Sequence, residues 1–294
     1  MRRSRTIIAL CAAAAALVPP NAGSSASPKG VDPGPRIAYV LDGDVWTVLT
    51  DGADDQQVTS GVAKDSDPSW HPDGVTLAFT RKTANGPQVW VVDTTGGSPV
   101  RLLKRASDPS WALDGSAIAF VRKKKGNVDI WAADPDGSNR RRLTSSPAAD
   151  IEPAWGPKKI AFVSRRGGRH SIWIMTPAGR KERRLTAGTG KDRSPAWVVG
   201  EGPGLDVLYE HIEPDGDHDL QSVRVADKAI FPILVQSIDD DVTPSSAALT
   251  WFAFVRKAST SRIITADVDA PKTTARIIVS GSGLKDPAVA PESP

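Results

Sequence analysis

Apolar residues along this chain come in runs of four or five, separated by turns rich in Asp, Gly, Pro and Ser, and the same order of runs and turns returns several times. Between Asp67 and Leu103 the chain reads DPSW, HPDG, VTLAFTR, then QVWVVD, TTGG and SPVRLL. Between Asp108 and Thr144 it reads DPSW, ALDG, SAIAFVR, then DIWAAD, PDGS and NRRRLT, and between Glu152 and Thr186 it reads EPAW, GPK, KIAFVSR, then SIWIMT, PAGR and KERRLT. Trp70, Trp111 and Trp155 recur about every 40 to 45 residues, and Phe79, Phe120 and Phe162 each lie eleven positions before Trp90, Trp131 and Trp173. A period of that length, built from short apolar runs and Gly-containing turns, predicts a propeller or a similar array.

Each run is too short for a helix and is bounded by turn residues, so each reads as a strand. One repeat is then a four-stranded meander: Pro-Ser-Trp, Thr-Leu-Ala-Phe, Val-Trp-Val-Val and Val-Arg-Leu-Leu. Asp73-Gly74, Asp114-Gly115 and Asp136-Gly137 supply the positive φ that tight hairpins need. The second strand is apolar at consecutive positions (Ile118, Ala119, Phe120, Val121), as expected for a sheet covered on both faces by neighbouring blades. The small Ala78, Ala119 and Ala161 allow close approach, and Arg140, Arg141 and Arg142 suit a solvent-facing outer edge protected by charge.

The stretch from Arg36 (IAYV, LDG, DVWTVLT, DGAD, DQQVTS) matches strands two to four of a repeat and lacks the first. The missing strand is found near the other end, where DPAVAP from Asp286 to Pro291 lines up with DPSWHP from Asp67 to Pro72. Two further repeats are degenerate, one opening at Ser194-Pro195-Ala196-Trp197 and one at Thr243-Pro244-Ser245-Ser246. The prolines that open the inner strands are Pro68, Pro109, Pro153, Pro195, Pro244 and Pro287. The expected fold is all-β: a six-bladed β-propeller of four-stranded antiparallel blades over residues 36–291, its ring closed by the C-terminal strand pairing in the N-terminal blade, with a short tail at 292–294.

Composition adds an address. Arg2, Arg3 and Arg5 precede an apolar run from Thr6 to Val18 and a small-residue stretch ending at Ala26, the pattern of a secretory signal peptide over residues 1–26, followed by a linker at 27–35. Cys11, the single cysteine, would leave with it, so the mature chain carries no thiol. Ile8-Ala9-Leu10-Cys11 has the outline of a lipoprotein box, but Leu10 is large where a small residue is usual. The Arg2-Arg3 pair leaves twin-arginine export open. No later segment has the length of a membrane span. The formal charge of +3 belongs wholly to the leader, since removing three arginines leaves 34 basic residues against 34 acidic ones. Charge is nevertheless uneven: residues 101–193 hold 21 Lys and Arg against 9 Asp and Glu, whereas 201–245 hold 2 against 11.

The segments DPSWHPDGVTLAF, DPSWALDGSAIAF and EPAWGPKKIAF resemble the WD40-like "PD" repeat of the TolB-type six-bladed β-propellers, across roughly residues 36–291. The resemblance implies a six-bladed ring, without carrying over TolB's role in envelope partnership. TolB itself has an additional N-terminal α/β domain for which Ser27 to Pro35 leaves no room, and no hydrolase domain of the prolyl-oligopeptidase type follows the repeats.

In a meander, the links between blades and the hairpins between strands two and three share one end, and variable loops there carry function more often than repeated turns do. At that end carboxylates stand just before the inner prolines: Asp65, Asp67, Asp108, Asp150, Glu152, Asp192, Asp241 and Asp286. They form either a negatively charged funnel that selects a cationic group, or acceptors for loop backbone amides, Asp before Pro being an ordinary turn opener. The basic hairpin residues Arg122, Lys123, Arg165, Arg166 and Arg169 share the same end, as a surface for an acidic partner or as solvated tips. The acidic stretch from Glu210 to Asp219 offers Asp215, Asp217 and His218 as metal ligands, but it matches no EF-hand and no His-x-Glu-x-x-His spacing, so a polar hairpin is the default. There is no Gly-x-Ser-x-Gly elbow and no mature cysteine nucleophile, and no catalytic residue stands out.

The sequence thus predicts a secreted or envelope-located, non-enzymatic propeller: a monomeric platform for a protein or peptide, with no cofactor, no nucleic-acid partner and no membrane span. The alternative is a lyase or hydrolase acting on a polysaccharide or peptide in the funnel; a third reading is capture of a cell-wall polymer.

Overall fold

The computed structural model describes residues 36–199, 204–234, 242–248, 251–256, 261–267, 276–282 and 284–289. The expected signal peptide, linker and tail lie outside these residues. All the regular structure described is β.

Strands β1 (Arg36–Leu41), β2 (Asp44–Leu49) and β3 (Gln56–Gln57) are followed by five continuous meanders. Blade 1 comprises β4 (Lys64–Trp70), β5 (Thr76–Thr83), β6 (Gly86–Asp93) and β7 (Val100–Lys104). Blade 2 comprises β8 (Ser107–Trp111), β9 (Ile118–Lys124), β10 (Asn127–Ala133) and β11 (Arg141–Arg142). Blade 3 comprises β12 (Asp150–Trp155), β13 (Ile160–Ser164), β14 (Ser171–Met175) and β15 (Arg183–Arg184). Blade 4 comprises β16 (Lys191–Val199), β17 (Leu205–Ile212), β18 (His218–Arg224) and β19 (Ile230–Leu234). Blade 5 comprises β20 (Val242–Ala248), β21 (Trp251–Arg256), β22 (Ser261–Asp267) and β23 (Arg276–Gly281), and the last strand is β24 (Leu284–Val289).

The expectation of a six-bladed propeller is corrected here. Five blades, not six, are complete meanders cut from a single stretch of chain; the remaining four-stranded sheet is a composite in the order β24-β1-β2-β3. In it Ile37 lies opposite Val289 and Ala38 opposite Ala288. Nor are the blades uniform, because β3, β11 and β15 shrink to two residues. The sequence motif read as a fourth strand there is held by side chains instead. Thr59, Thr144 and Thr186 each accept the backbone N–H of a third-strand residue (Val45, Ile130 and Ile172) at 2.8, 3.1 and 2.9 Å. Arg142 donates back to the Thr144 carbonyl at 2.8 Å, and Arg184 makes the same bond to Thr186. The repeated Arg-Arg-Leu-Thr is a clasp on the third strand as well as a charged edge.

The core consists of wedges between neighbouring sheets. Phe79 and Trp70 pack with Ala38 and Ala288; Trp111, Phe120 and Trp131 pack with Ala78; Trp155 and Phe162 pack with Ala119; Trp197 and Tyr209 pack with Ala161. Ile264 of blade 5 meets Leu208 and Ala196 of blade 4, and Ala253 and Ile263 meet Ile37 and Tyr39 of the composite sheet. Contacts between inner strands run β4, β8, β12, β16, β20, β24 and back to β4, which closes the cycle. The small second-strand alanine thus makes room for the tryptophan of the next blade. Each fully buried aromatic contributes on the order of 2–3 kcal/mol of apolar burial, so the ring is stabilised mainly across its seams.

Polar bonds reinforce those seams. Ser69 and Ser110 accept the backbone N–H of Trp111 and Trp155 of the following blade at 3.3 and 2.9 Å. The Trp197 indole donates to the Ala154 carbonyl at 2.9 Å. Gly156 lies flat against the Trp197 ring, where an added Cβ would stand 2.5 Å from its atoms.

Candidate binding face

Every inner strand from β4 to β16 breaks register at its proline. The break falls between Ser66 and Ser69, Ser107 and Ser110, Ile151 and Ala154, and Arg193 and Ala196. The residue before each proline is left-handed: Asp67 at φ 53°, Asp108 at 52°, Glu152 at 55° and Ser194 at 52°. Proline removes a ladder donor and restricts its predecessor, and a bulge is the ordinary way a strand absorbs both. Asp tolerates positive φ better than most residues because its short side chain bonds locally. Ser66 and Ser107 donate to the carboxylates of Asp67 and Asp108 at 2.9 and 3.2 Å. Across the seams, the Asp108 amide donates to Thr80 at 2.9 Å and the Ser194 amide donates to Glu152 at 2.9 Å.

Two residues upstream of that left-handed residue, three of these four strands carry an acid that meets a partner from the second strand. In blade 1, Asp65 is buried and receives both forks of Arg81, Nε at 2.8 Å and Nη2 at 2.7 Å, while the guanidinium lies 4.9 Å over the Trp90 ring. The bond to Asp65 raises the pKa of Arg81 further. In blade 3, fully buried Asp150 pairs with Arg166 at 2.8 Å, and Arg166 also binds Glu182 and lies 4.7 Å over Trp173. In blade 4 the partner is an imidazole: His211 Nδ1 lies 2.6 Å from Asp192, whose other oxygen accepts from Thr186, and His211 Nε2 lies 3.4 Å from Glu213. The hydrogen bond with Asp192 raises the His211 pKa above its usual value. Blade 2 has the arginine, Arg122, over Trp131 at 5.4 Å, but Ala106 stands where the other blades have an acid.

The structure therefore joins two groups that the sequence presents separately. Asp65, Asp150 and Asp192 of the expected funnel are buried and tied within their own blades. Asp67 and Glu152 are also buried, and Asp108 is half-buried. Asp241 lies outside the described residues, and of Asp286 only the backbone, in β24, is described. Among the basic hairpin residues, Lys123 and Arg165 are exposed, Arg169 and Arg122 are half-buried, and Arg166 is the paired residue. Arg81 and His211 were missed as partners, although aligning the repeats sets Arg81, Arg122 and Arg166 each 16 residues after Asp65, Ala106 and Asp150.

The metal candidates separate. The Asp217 amide donates to Asp215 at 3.2 Å within a turn, and His218 Nδ1 lies 2.7 Å from Glu210. Among the described residues no three His, Cys, Asp or Glu side chains are grouped to hold a metal ion. No described helix is long and apolar enough to cross a membrane.

With this geometry in view, the sequence matches the PD40 family model, described as the TolB beta propeller domain, over residues 12–197 and 103–293. The chain belongs to the TolB β-propeller family. Among solved structures, this TolB-type chain is similar to TolB from Acinetobacter baumannii at 20% identity and a TM-score of 0.72, with 87% of this chain and 66% of that chain covered. It thus spans just under two thirds of that protein's length. A second similar structure is that of putative TolB from Agrobacterium tumefaciens, at 18% identity and a TM-score of 0.67, with 89% and 99% covered. A third comes from the nidogen/laminin complex, at 12% identity and a TM-score of 0.69, with 87% and 98% covered. At these identities the likeness is one of fold. No curated protein matches the sequence.

Proposed function

We propose that the protein is exported and acts as a non-enzymatic platform, binding another protein or a peptide at the end of the ring where the inner strands begin. The observation that carries this reading is the repeated fixing of charge at that end. Asp65, Arg81 and Trp90 in blade 1 and Asp150, Arg166 and Trp173 in blade 3 make the same pair-and-stack. A surface whose charges are held in place before encounter loses less freedom on binding, which favours recognition. The exposed Arg165 adjoins Arg166 of the blade 3 pair along the chain, and the exposed Lys123 adjoins Arg122 of blade 2. The leader at 1–26 supplies the route of export.

The test is proximity cross-linking in an envelope extract, comparing the wild type with a Lys123→Glu/Arg165→Glu variant. The proposal expects one dominant partner on the wild type and its loss from the variant. An unchanged set of cross-linked proteins would overturn it.

A second reading, a lyase or hydrolase at the same mouth, is favoured by one feature: His211 is held by buried Asp192 as a general acid or base is held. Turnover of a glycan or peptide panel by the wild type, lost in His211→Asn, would establish it.

A further inference from the structure

The vacancy at Ala106 has a counterpart on the surface. Arg122, left without the acid that its equivalents in blades 1 and 3 meet, lines a cavity of about 480 Å³ together with Arg101, Leu102, Lys104, Arg105 and Arg140. An adjoining cavity of about 300 Å³ shares Arg101, Lys104 and Arg105 and adds the side-chain amides of Asn85 and Gln88. No carboxylate lines either one, and among the described residues none of these five cations takes part in an ion pair. Like charges gathered around one hollow repel each other, so the arrangement is costly without an anion and favourable with one.

We infer that this seam between blades 1 and 2 is a binding groove for an acidic peptide segment of another protein. Arg101, Lys104 and Arg105 come from β7 and the link after it, and Arg122 and Arg140 come from blade 2, giving two basic walls for an extended chain to pass between. Four of the five cations are arginines, whose planar forks match carboxylates two bonds at a time. Arg140 is steadied by its own bond to the Gly137 carbonyl at 2.7 Å, and Arg122 by the Trp131 face. Leu102 offers an apolar contact for side-chain methylenes, and the amide of Asn85 can bond a peptide backbone. The groove has no aromatic platform for a base or a sugar: Trp131 is covered by Arg122 and Lys124, and Trp90 by Arg81. The site is separate from the inner-strand carboxylates and stands whether or not the mouth binds a partner.

The test is fluorescence anisotropy of a labelled oligoglutamate peptide against the purified protein, with oligo-dT and a sulfated oligosaccharide as comparators, at low and physiological ionic strength. Oligoglutamate binds, and Arg101→Gln/Arg105→Gln weakens it by about tenfold or more. Ala106→Asp restores the acid that the neighbouring blades have, draws Arg122 into a pair and weakens binding without touching the groove itself. Arg180→Gln/Lys181→Gln, which removes the same charge elsewhere, leaves binding unchanged. If Ala106→Asp fails to fold, the Arg101/Arg105 variant and its charge control still decide. Equal loss in the control, no loss in the groove variants, or binding of oligo-dT or the sulfated sugar in preference to oligoglutamate would each overturn the inference. The Arg101/Arg105 variant leaves Lys123, Arg165 and the charge pairs of the mouth unchanged, so a failed groove and a failed mouth give different results.

Discussion

The Trp70 indole donates its N–H to the carbonyl of Ala288 at 3.2 Å, across 218 positions of chain. This bond ties blade 1 to the strand that completes the composite sheet, and Trp70 is fully buried at the same seam. Trp70→Phe keeps most of the apolar contact and loses the bond, and is expected to cost about 1–2 kcal/mol. Trp70→Ala also leaves a cavity and is expected to cost about 3–5 kcal/mol. Urea unfolding of both variants checks the ordering; a Trp70→Phe protein as stable as the wild type would show that the indole N–H contributes nothing to closure.

The Asp150 and Arg166 pair predicts an asymmetry. Asp150→Asn leaves a mostly buried guanidinium with only Glu182 as charged partner, and is expected to cost about 2–3 kcal/mol, less than a fully buried pair because Arg166 keeps 20% of its side chain exposed. Asp150→Asn combined with Arg166→Leu is expected to recover part of that loss, because no charge is then stranded. A double mutant less stable than the sum of the two singles would contradict the pairing.

The short outer strands and these pairs mark the limit of what the sequence makes legible. Strand identity, period and the pairing of the two chain ends are written in the repeats, because Trp70, Trp111 and Trp155 each need the same small alanine on the neighbouring sheet. Ile37 meeting Val289 follows from aligning DPAVAP with DPSWHP. The partnership of Asp65 with Arg81 does not follow, because it depends on a bulge that rotates the inner strand and on adjacent strands turning toward each other. Read singly, the aspartates suggest an open acidic mouth and the arginines suggest solvated tips; together they neutralise one another. The groove is hidden for a related reason, since Ala106 signals something only once its counterparts are known to hold arginines. The fourth strand was over-read, because the Arg-Arg-Leu-Thr motif satisfies third-strand amides through Thr144 and Thr186 and pairs over only two residues.

His211 makes stability depend on pH. Its bond to Asp192 raises its pKa in the folded state, with Glu213 on its other nitrogen acting in the same direction. A raised folded pKa contributes stability that is fully present below the unfolded value of about 6.5 and is lost as pH rises through the higher folded value. Melting temperatures of the wild type are therefore expected to fall relative to His211→Asn as pH rises above about 6.5. Parallel profiles would contradict the assignment.

Gly156 is set by contact rather than by backbone angle. Gly156→Ala pushes a methyl into the face of Trp197 and is expected to cost about 1–3 kcal/mol, whereas the same change at Gly126, whose Cβ position is open, meets only the strain of its φ of +88°. Thermal unfolding accompanied by near-ultraviolet circular dichroism separates the two, since only the first change disturbs an indole.

A ring closed by both ends of the described chain, holding fixed charges at one mouth, is tested most directly by amide hydrogen exchange on peptides covering 36–41 and 284–289. Closure predicts that the amides of β24 bonded to β1 exchange as slowly as those of β9 and β13, and that all three slow sets are lost together on unfolding. Exchange of 284–289 at the rate of an unstructured peptide, while β9 and β13 stay protected, would show an open array and contradict the account.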